Sequence, residues 1–304
     1  MPDVPMPVAS PIPANGLSVD VEDYYQVSAF ADVVSRDQWG RMPDRVVSNT
    51  ARVLDLFARA GVRATFFTLG CVGTRHPSLV RDIVAGGHEL ASHGWDHERV
   101  TDLTPDEFFR DVDRTKRRLE DIGGVPVLGY RAPSFSVNRT NWWAYAELAS
   151  AGYRYSSSLN PIRHDHYGVP DAPRFPFEPI PGLLEVPVTT VQVGRQRLPC
   201  GGGGFFRLAP YPLFRRGLEH LHRTDGQPAI FYFHPWEVDP EQPRVAGLPL
   251  KSRFRHYVNL HAMQGKVERL LRDFRWDRMD RVFLGDAAAA PVRRQEPALA
   301  GGVA

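Results

Sequence analysis

The 304-residue chain has little cysteine, with only Cys71 and Cys200. Two cysteines are too few for a disulfide framework, and although one bridge is possible, two reduced thiols in a reducing compartment are the expected state. The sequence also has no run of about 18 consecutive apolar residues, so it predicts no transmembrane segment. Its N-terminus lacks the basic segment and the uninterrupted apolar stretch of a secretory signal. We therefore expect a cytoplasmic protein.

The chain also lacks a strong excess of charge of either sign. Its 37 lysines and arginines and 35 aspartates and glutamates give a net charge of +2, and both signs are spread along the sequence. This balance indicates no surface for nucleic acid or for an anionic membrane. Small or neutral partners are expected, and the length suffices for one sizeable domain or two small ones.

What the sequence does contain is an alternation of short apolar runs and helical patterns. The apolar runs predict seven strands, at residues 16–21, 62–70, 88–94, 126–132, 152–158, 183–189 and 229–235. The helical patterns predict helices at about 45–60, 77–85, 104–122, 138–151, 211–223 and 258–274. This order predicts an α/β fold in which helices cover a parallel sheet. The strand count suits a closed or nearly closed barrel at least as well as an open sheet.

Most of the chain is expected to form one domain. We predict a single barrel domain over residues 16–283, with about 237–283 as a C-terminal extension packed on it. The proline-rich start, residues 1–15, and the tail, residues 284–304, are predicted to be flexible. Stretches rich in proline and polar residues are predicted to be long loops at the barrel mouth, at 160–181 and 237–257.

Acidic, histidine and arginine residues directly follow four of the predicted strands. They are Asp20, Glu22 and Asp23 after the first strand, His93 and His97 after the third, Arg131 after the fourth and His234 after the last. In a parallel α/β fold the carboxyl ends of the strands and the loops after them form the active site. These residues are therefore expected to meet at one edge of the sheet.

The segment SHGWDH, residues 92–97, is the sharpest local signal. Two imidazoles four residues apart can bind a common ion, although a pair of surface histidines is the alternative. Together with one carboxylate oxygen they leave a position of a tetrahedral Zn²⁺ open for water, as in a catalytic site. A second carboxylate of LSVDVED, residues 17–23, can then take a proton from that water. The alternative for this acidic cluster is a solvated turn or a helix N-cap.

Taken together, the motifs resemble those of the NodB-type polysaccharide deacetylases, carbohydrate esterase family 4. The stretches that carry the resemblance are LSVDVED, TFFTLG, HPSLVRDIVAGGHELASHGWDH, YRAPSFS and FYFHPWE. It covers roughly residues 16 to 280 and is similar in particular to a subgroup near the allantoinase-like and peptidoglycan deacetylase-like members. That subgroup is found in bacterial exopolysaccharide loci that accompany exosortase sorting systems. The resemblance implies a distorted (β/α)7 barrel, consistent with seven strands.

The resemblance also implies roles for individual residues. Asp20 takes the place of the general base, and Arg131, followed by Pro133, matches the arginine that orients it. His234 matches the histidine that protonates the departing amine. The aspartate that tunes this histidine in the family has no evident counterpart here, and Glu237 or Asp239 are candidates to replace it.

For the metal, Zn²⁺ or another divalent ion, the resemblance implies His93, His97 and one acid. The Asp-x-Asp spacing of the subgroup points to Glu22, whereas a preference for aspartate points to Asp23. Alternation along a strand slightly favours Glu22, because it places this residue on the same face as Asp20.

The residues expected to contact the substrate flank these motifs and include Pro133, Ser134 and Phe135. Ser134 stands where the family has an aromatic residue, with Phe135 next, so the amide that binds the oxyanion is not assigned. The aromatic residues beside the motifs are candidates for a floor on which sugars stack, and packing under the loops is the alternative: Tyr24, Tyr25, Trp95 and Trp236. The segment CGGGGFFRL, residues 200–208, is either a loop that approaches a sugar or a flexible turn.

These interpretations predict a metal-dependent amidase. The expected reaction removes N-acetyl groups from N-acetylhexosamine units of a bacterial exopolysaccharide or its precursor, so an N-acetylated oligo- or polysaccharide is the expected partner. Two alternatives remain open. One is hydrolysis of another amide, such as a cyclic ureide, and the other is a glycan-binding module without catalysis.

Overall fold

The computed structural model describes residues 14–164 and 168–285. The strands are β1 (Asn15–Val21), β2 (Thr65–Thr68), β3 (Glu89–Ser92), β4 (Gly129–Tyr130), β5 (Tyr155–Ser156), β6 (Phe177–Ile180), β7 (Leu183–Glu185), β8 (Thr190–Val193), β9 (Gln196–Pro199), β10 (Ile230–Phe233) and β11 (Trp276–Asp277). The α-helices are α1 (Val46–Ala60), α2 (Gly70–Arg75), α3 (Pro77–Ala85), α4 (Pro105–Gly123), α5 (Ala144–Ser150), α6 (Gly203–Leu208), α7 (Tyr211–Thr224), α8 (Leu250–Tyr257), α9 (Leu260–Asp273) and α10 (Met279–Phe283). Short 3₁₀ helices lie at Ser28–Phe30, Arg36–Arg41, Val100–Asp102, Pro133–Phe135, Arg139–Asn141 and Pro235–Val238.

The main sheet is parallel over seven neighbouring strands. Its order is β10-β1-β2-β3-β4-β5-β7, with β6 antiparallel to β7 and the short β11 parallel to the start of β1. These seven are the strands that the apolar runs predict, and the α/β barrel prediction is confirmed.

Cys71 and Cys200 are free thiols. Within the described ranges, no helix is both long and apolar enough to cross a bilayer.

The sheet curls into an incomplete barrel, and the segment 200–202 lies between β10 and the chain that follows β7. Tyr232 N donates to Gly201 O at 2.8 Å, and Cys200 N donates to Thr189 O at 3.0 Å. A Cβ on Gly201 would lie 2.7 Å from Ile230 O, so glycine is needed for this close approach. Part of the glycine run therefore forms part of the barrel wall, where it packs against β10.

Alternation along β1 separates an apolar outer face from a polar inner face. Leu17, Val19 and Val21 belong to the main apolar cluster, which also contains buried side chains of the surrounding helices α1, α3, α7 and α9. Ser18 and Asp20 are buried and bind the side chain of Arg131 inside the barrel. The inner face of β1 therefore leads directly into the predicted site.

The helix predictions are confirmed in most places and differ from the structure at residues 138–151. The capping box at Thr104 starts α4, whose N-cap hydroxyl accepts from Glu107 N. The helix predicted at 138–151 is instead the short turn Arg139–Asn141 followed by α5. This turn begins at Asn138, whose side chain accepts a hydrogen bond from Thr140 N, so a polar cap opens a separate turn before the apolar segment of α5.

The two stretches predicted as long loops contain regular structure. Residues 160–181 include β6, and 237–257 include α8. Both elements are short, and α8 is rich in charged residues, so neither shows a clear apolar period. Of the segments predicted to be flexible, residues 1–13 and 286–304 lie outside the described ranges. Asn15, expected in the flexible start, is buried in β1.

Candidate active site

Three buried side chains converge where β1 and β3 end. Glu22 follows β1, and His93 and His97 follow β3. One carboxylate oxygen and one nitrogen of each imidazole lie within 4.8 Å of one another. The loop after β3 turns sharply, because Gly94 and His97 adopt the left-handed conformation with φ of 74° and 60°. The structure therefore brings together three of the four residues predicted to bind a metal.

Hydrogen bonds decide which nitrogen of each imidazole faces this cluster. His93 Nδ1 lies 2.8 Å from the carbonyl oxygen of Arg131. A carbonyl only accepts, so Nδ1 carries the proton and Nε2 keeps its lone pair. His97 Nδ1 lies 3.4 Å from Ser28 Oγ, and its Nε2 lies 2.9 Å from Glu22 Oε2. Histidines that bind metals are commonly held in this way by a partner on the second nitrogen.

The charges of the cluster fit a divalent cation. Burial alone would raise the pKa of Glu22, but the surrounding histidines, His97 foremost, outweigh it and lower the pKa to about 2. Burial lowers the pKa of His93 to about 4, so this imidazole is neutral at pH 7. Glu22 Oε2 is buried, and its polar neighbour at 2.9 Å is His97 Nε2, a nitrogen of the same cluster. An ionised carboxylate and imidazole nitrogens that face one point are suitable ligands for Zn²⁺.

Asp23, the second acid considered as a ligand, lies elsewhere. Its Oδ2 accepts hydrogen bonds from the amides of Arg45 at 2.7 Å and Val46 at 3.0 Å, and its Oδ1 accepts from the amide of Tyr24 at 2.8 Å. Asp23 therefore caps the start of α1, and Glu22 is the carboxylate beside the histidines. Burial raises the pKa of Asp23 to about 6. Part of the acidic cluster is thus a helix cap, the alternative weighed from the sequence.

Arg131 holds Asp20 inside the barrel. Arg131 Nη1 donates to Asp20 Oδ1 at 2.6 Å and to Ser18 Oγ at 2.9 Å. Its Nε and Nη2 donate to the carbonyl and hydroxyl oxygens of Ser157 at 3.1 and 3.0 Å. The other carboxylate oxygen, Oδ2, lies 4.0 Å from His234 Nε2. One oxygen of Asp20 is therefore engaged by Arg131, while the other faces the cluster.

His234 lies beside Glu22 and is held by Glu237. Its Nε2 lies 3.4 Å from Glu22 Oε1, and its Nδ1 lies 2.8 Å from Glu237 Oε1. The one-turn helix Pro235–Val238 brings Glu237 back to the imidazole three residues earlier. Burial opposes charge on His234, but Glu22, Glu237 and Asp20 outweigh it and raise the pKa to about 9. His234 is thus protonated at neutral pH.

Of the two acids considered as partners of His234, the structure places Glu237 there. Asp239 instead accepts two hydrogen bonds from Arg45, both of 2.9 Å, and one from Asn49 at 3.1 Å. It therefore joins α1 to the chain after β10 and does not contact His234.

Arg207 completes this side of the site, and none of the sequence motifs pointed to it. Its Nε donates to Glu237 Oε2 at 2.7 Å, and both groups are buried. Its Nη1 also donates to the carbonyl oxygens of His256 and Val258, at 2.8 and 2.7 Å. The available signal was a charged residue inside the apolar FFRL segment, directly after the glycine run. A Cβ on Gly203 would overlap the Glu237 carboxylate, so this glycine allows the backbone to approach that carboxylate.

Most of the aromatic residues proposed to contact the substrate are packed in the interior. Tyr24, Tyr25 and Trp236 are buried in one apolar cluster, which corresponds to the packing alternative. The ring of Trp236 stacks on His234, with the two ring centroids 5.0 Å apart, and so helps to fix the orientation of this imidazole. Trp95 is half-buried, with the guanidinium of Arg114 3.3 Å from its ring centroid.

The turn after Arg131 is strained at two consecutive residues. Ser134 and Phe135 have φ of 53° and 49°, a conformation that non-glycine residues rarely adopt. Ser134 is half-buried, whereas Pro133 and Phe135 are buried. The amide of Phe135 donates to Ala132 O at 3.0 Å. Ser134 Oγ donates to Ser28 Oγ at 2.7 Å, so the turn is also linked to the hydroxyl beside His97.

Two family models match consecutive parts of the chain. Residues 38–156 match the family described as polysaccharide deacetylase, and residues 157–284 match a domain of unknown function, DUF3473. The first match contains His93, His97 and Arg131. The second contains Arg207 and His234, whereas Asp20 and Glu22 precede both.

Curated relatives resemble a part of the chain. A peptidoglycan-N-acetylglucosamine deacetylase of Listeria monocytogenes is 35% identical over 92 residues, which are 30% of this chain and 20% of that protein. A bifunctional xylanase/deacetylase of Pseudobutyrivibrio xylanivorans is 36% identical over 94 residues, 31% of this chain and 16% of that protein. The match thus spans about a fifth or less of each relative's length.

One solved structure resembles nearly the whole chain. A Mycobacterium smegmatis protein assigned as a polysaccharide deacetylase superposes with a TM-score of 0.58 at 21% sequence identity. The superposition covers 98% of this chain and 99% of that chain, and it supports the fold assignment. Residues 38–156 of the chain therefore match the polysaccharide deacetylase family, and residues 157–284 match DUF3473.

Proposed function

We propose that this protein is a metal-dependent deacetylase that removes N-acetyl groups from N-acetylhexosamine units of a bacterial exopolysaccharide or its precursor. The observation that supports this most is that two further titratable groups lie beside Glu22, His93 and His97. Asp20 faces this cluster from β1, and His234 faces it from the loop after β10. A base and an acid beside a cation site are what hydrolysis of an amide requires.

Glu22, His93 and His97 are the residues that would hold the ion, for which Zn²⁺ is our first choice. Bound there, such an ion would polarise the amide carbonyl and make water more acidic. The charge balance is favourable, since Glu22 is ionised and His93 is neutral at pH 7.

Asp20 is proposed to accept the proton of the attacking water. Arg131 and Ser18 fix the position of this carboxylate through Arg131 Nη1, so Oδ2 is the oxygen directed at the substrate. Water adds to the acetyl carbon, and the negative charge that develops on the former carbonyl oxygen needs a donor. Pro133 has no amide hydrogen, and the amides of Phe135 and Ser136 already donate to Ala132 O and Pro133 O. We therefore assign the Ser134 amide to this oxyanion.

His234 is proposed to donate the proton that the departing nitrogen requires. Its Nδ1 hydrogen is held by Glu237, so Nε2 is the nitrogen that faces the substrate. When the C–N bond breaks, the nitrogen takes this proton, and acetate and a free amine are released. Burial of Glu237 and Arg207 beneath His234 keeps the imidazole in one orientation.

The test is acetate release from N-acetylglucosamine oligomers by the purified protein. We expect release that is lost on chelation, returns with Zn²⁺ and is abolished in Asp20→Asn. The exposed Asp32→Asn is a control for a neutralised carboxylate outside the site. Bound metal without acetate release would redirect the search to other amides, such as cyclic ureides. No bound metal would contradict the catalytic proposal.

A further inference from the structure

The N-terminal half of α8 presents large apolar side chains to solvent. Leu250 is 82% exposed and Phe254 is 59% exposed. Because they are four residues apart on a helix, they lie on one face. Leu250 is the most exposed large apolar side chain of the described ranges.

The sequence around this apolar face is rich in positive charge. No aspartate or glutamate occurs between Glu241 and Glu268, whereas five lysines and arginines do: Arg244, Lys251, Arg253, Arg255 and Lys266. At 3.6 residues per turn, Lys251 and Arg253 project roughly 80° to either side of the centre of the apolar pair. The net charge of the whole chain is close to zero and therefore indicated no anionic membrane partner. That average does not reveal the local excess of lysine and arginine in this segment.

The opposite side of α8 is fixed to the active site. His256 is buried, and its ring stacks on Trp236 at 4.1 Å, while Trp236 stacks on His234 at 5.0 Å. Arg207 donates to the carbonyl oxygens of His256 and Arg255, at 2.8 and 3.1 Å. The exposed face is therefore held at a set position relative to His234.

We propose that α8 docks this protein onto the surface of an anionic lipid bilayer. Apolar side chains flanked by cations are typical of helices that lie in the membrane interface, where the cations contact phosphate groups. An acidic polysaccharide would engage the same cations but would not require Leu250 and Phe254. Taken with the proposed function, docking would hold the protein at a membrane that carries a lipid-linked glycan.

The test is co-sedimentation of the full chain with vesicles of phosphatidylglycerol and phosphatidylcholine, compared with phosphatidylcholine alone. We expect binding to the anionic vesicles that weakens as salt is raised. Leu250→Ser with Phe254→Ser should weaken it at least about tenfold, and Lys251→Gln with Arg253→Gln by a similar factor. A matched control is Val193→Ser with Leu198→Ser, on the exposed β8–β9 hairpin, which should stay within about twofold.

Three results would overturn this proposal. They are equal binding of the Leu250/Phe254 double variant, equal binding to neutral vesicles, and binding to a soluble acidic polysaccharide without binding to vesicles. Self-association of the wild type that the double variant abolishes would instead assign this face to a second copy. Acetate release from soluble oligomers should be unchanged in all variants. An inactive protein that still binds anionic vesicles would refute the proposed function and leave docking supported.

Discussion

Replacing Arg207 by methionine tests whether the DUF3473 region contributes to catalysis through residues that never touch the substrate. The guanidinium is buried and its Nε donates to Glu237 Oε2 at 2.7 Å, while Glu237 Oε1 holds His234 Nδ1 at 2.8 Å. Arg207→Met keeps an apolar stem of similar length but leaves the buried carboxylate of Glu237 without its cation. Glu237 is then no longer fixed by Arg207, and His234 loses a partner that is held in one position.

The size of the effect follows from these contacts. Removing one member of a buried ion pair destabilises a protein by about 3–5 kcal/mol, and the carbonyl contacts of Arg207 to His256 and Val258 are lost as well. A general acid contributes about 10²–10⁴ to the rate, and misplacement of about 1 Å can cost 10²-fold. We therefore expect kcat to fall about 10²-fold with little change in KM, because Arg207 is not exposed to substrate.

Urea unfolding and steady-state kinetics on acetylated oligomers measure the two effects separately. Arg174→Met is the matched control, because Arg174 pairs with Asp225 at 2.9 Å away from the site; it should lose stability and keep kcat. The double variant Arg207→Met with Glu237→Gln removes the unpaired charge, so stability should recover while kcat stays low. A folded Arg207→Met protein with wild-type kcat would refute the reasoning.

Three further predictions concern single contacts. Gly203→Ala should lower kcat, because its Cβ would overlap the Glu237 carboxylate, whereas Gly204→Ala, with open space around it, should not; kinetics of the pair measure this. Glu22→Gln should reduce the zinc content measured by atomic emission at least tenfold, since it removes the one anionic ligand of the cluster. The pKa of Glu89 is raised from 4.5 to about 8, mainly because the group is buried and also because a second carboxylate lies nearby. The folded state therefore favours protonated Glu89, and this stability is present below pH 4.5 and lost as the pH rises through about 8. Urea unfolding should show that the free energy of unfolding of the wild type falls over this pH range, whereas that of Glu89→Gln should depend less on pH. The same pH dependence in both proteins would exclude Glu89 as the source of the loss.

The sequence alone was sufficient to predict the seven strands and their parallel arrangement. Runs such as VRATFFTLG and AIFYFHP are short, apolar and separated by helical patterns, and this order leaves a parallel sheet as the compact solution. The same rule predicts that Asp20, His93 and Arg131 lie at one edge of the sheet, because the carboxyl ends of parallel strands meet there. The single barrel domain over 16–283 stays a prediction.

Choices between neighbouring residues required the tertiary structure. Glu22 and Asp23 are adjacent acids, and only the position of α1 shows that Asp23 binds the amides of Arg45 and Val46. Asp239 is likewise drawn to Arg45, which leaves Glu237 for His234. Each outcome depends on a partner more than twenty residues away or on a one-turn helix.

Arg207 shows most clearly what cannot be predicted from the sequence alone. Local sequence determines periodicity, caps and turns, since these depend on residues within a few positions of each other. The partners of Arg207 are Glu237, thirty residues later, and carbonyl groups about fifty residues later. Burial of a charged side chain is acceptable only when such partners are present. The fold class and the motif residues were therefore determined by the sequence itself, whereas the support of His234 was decided by which distant segments the folded chain brings together.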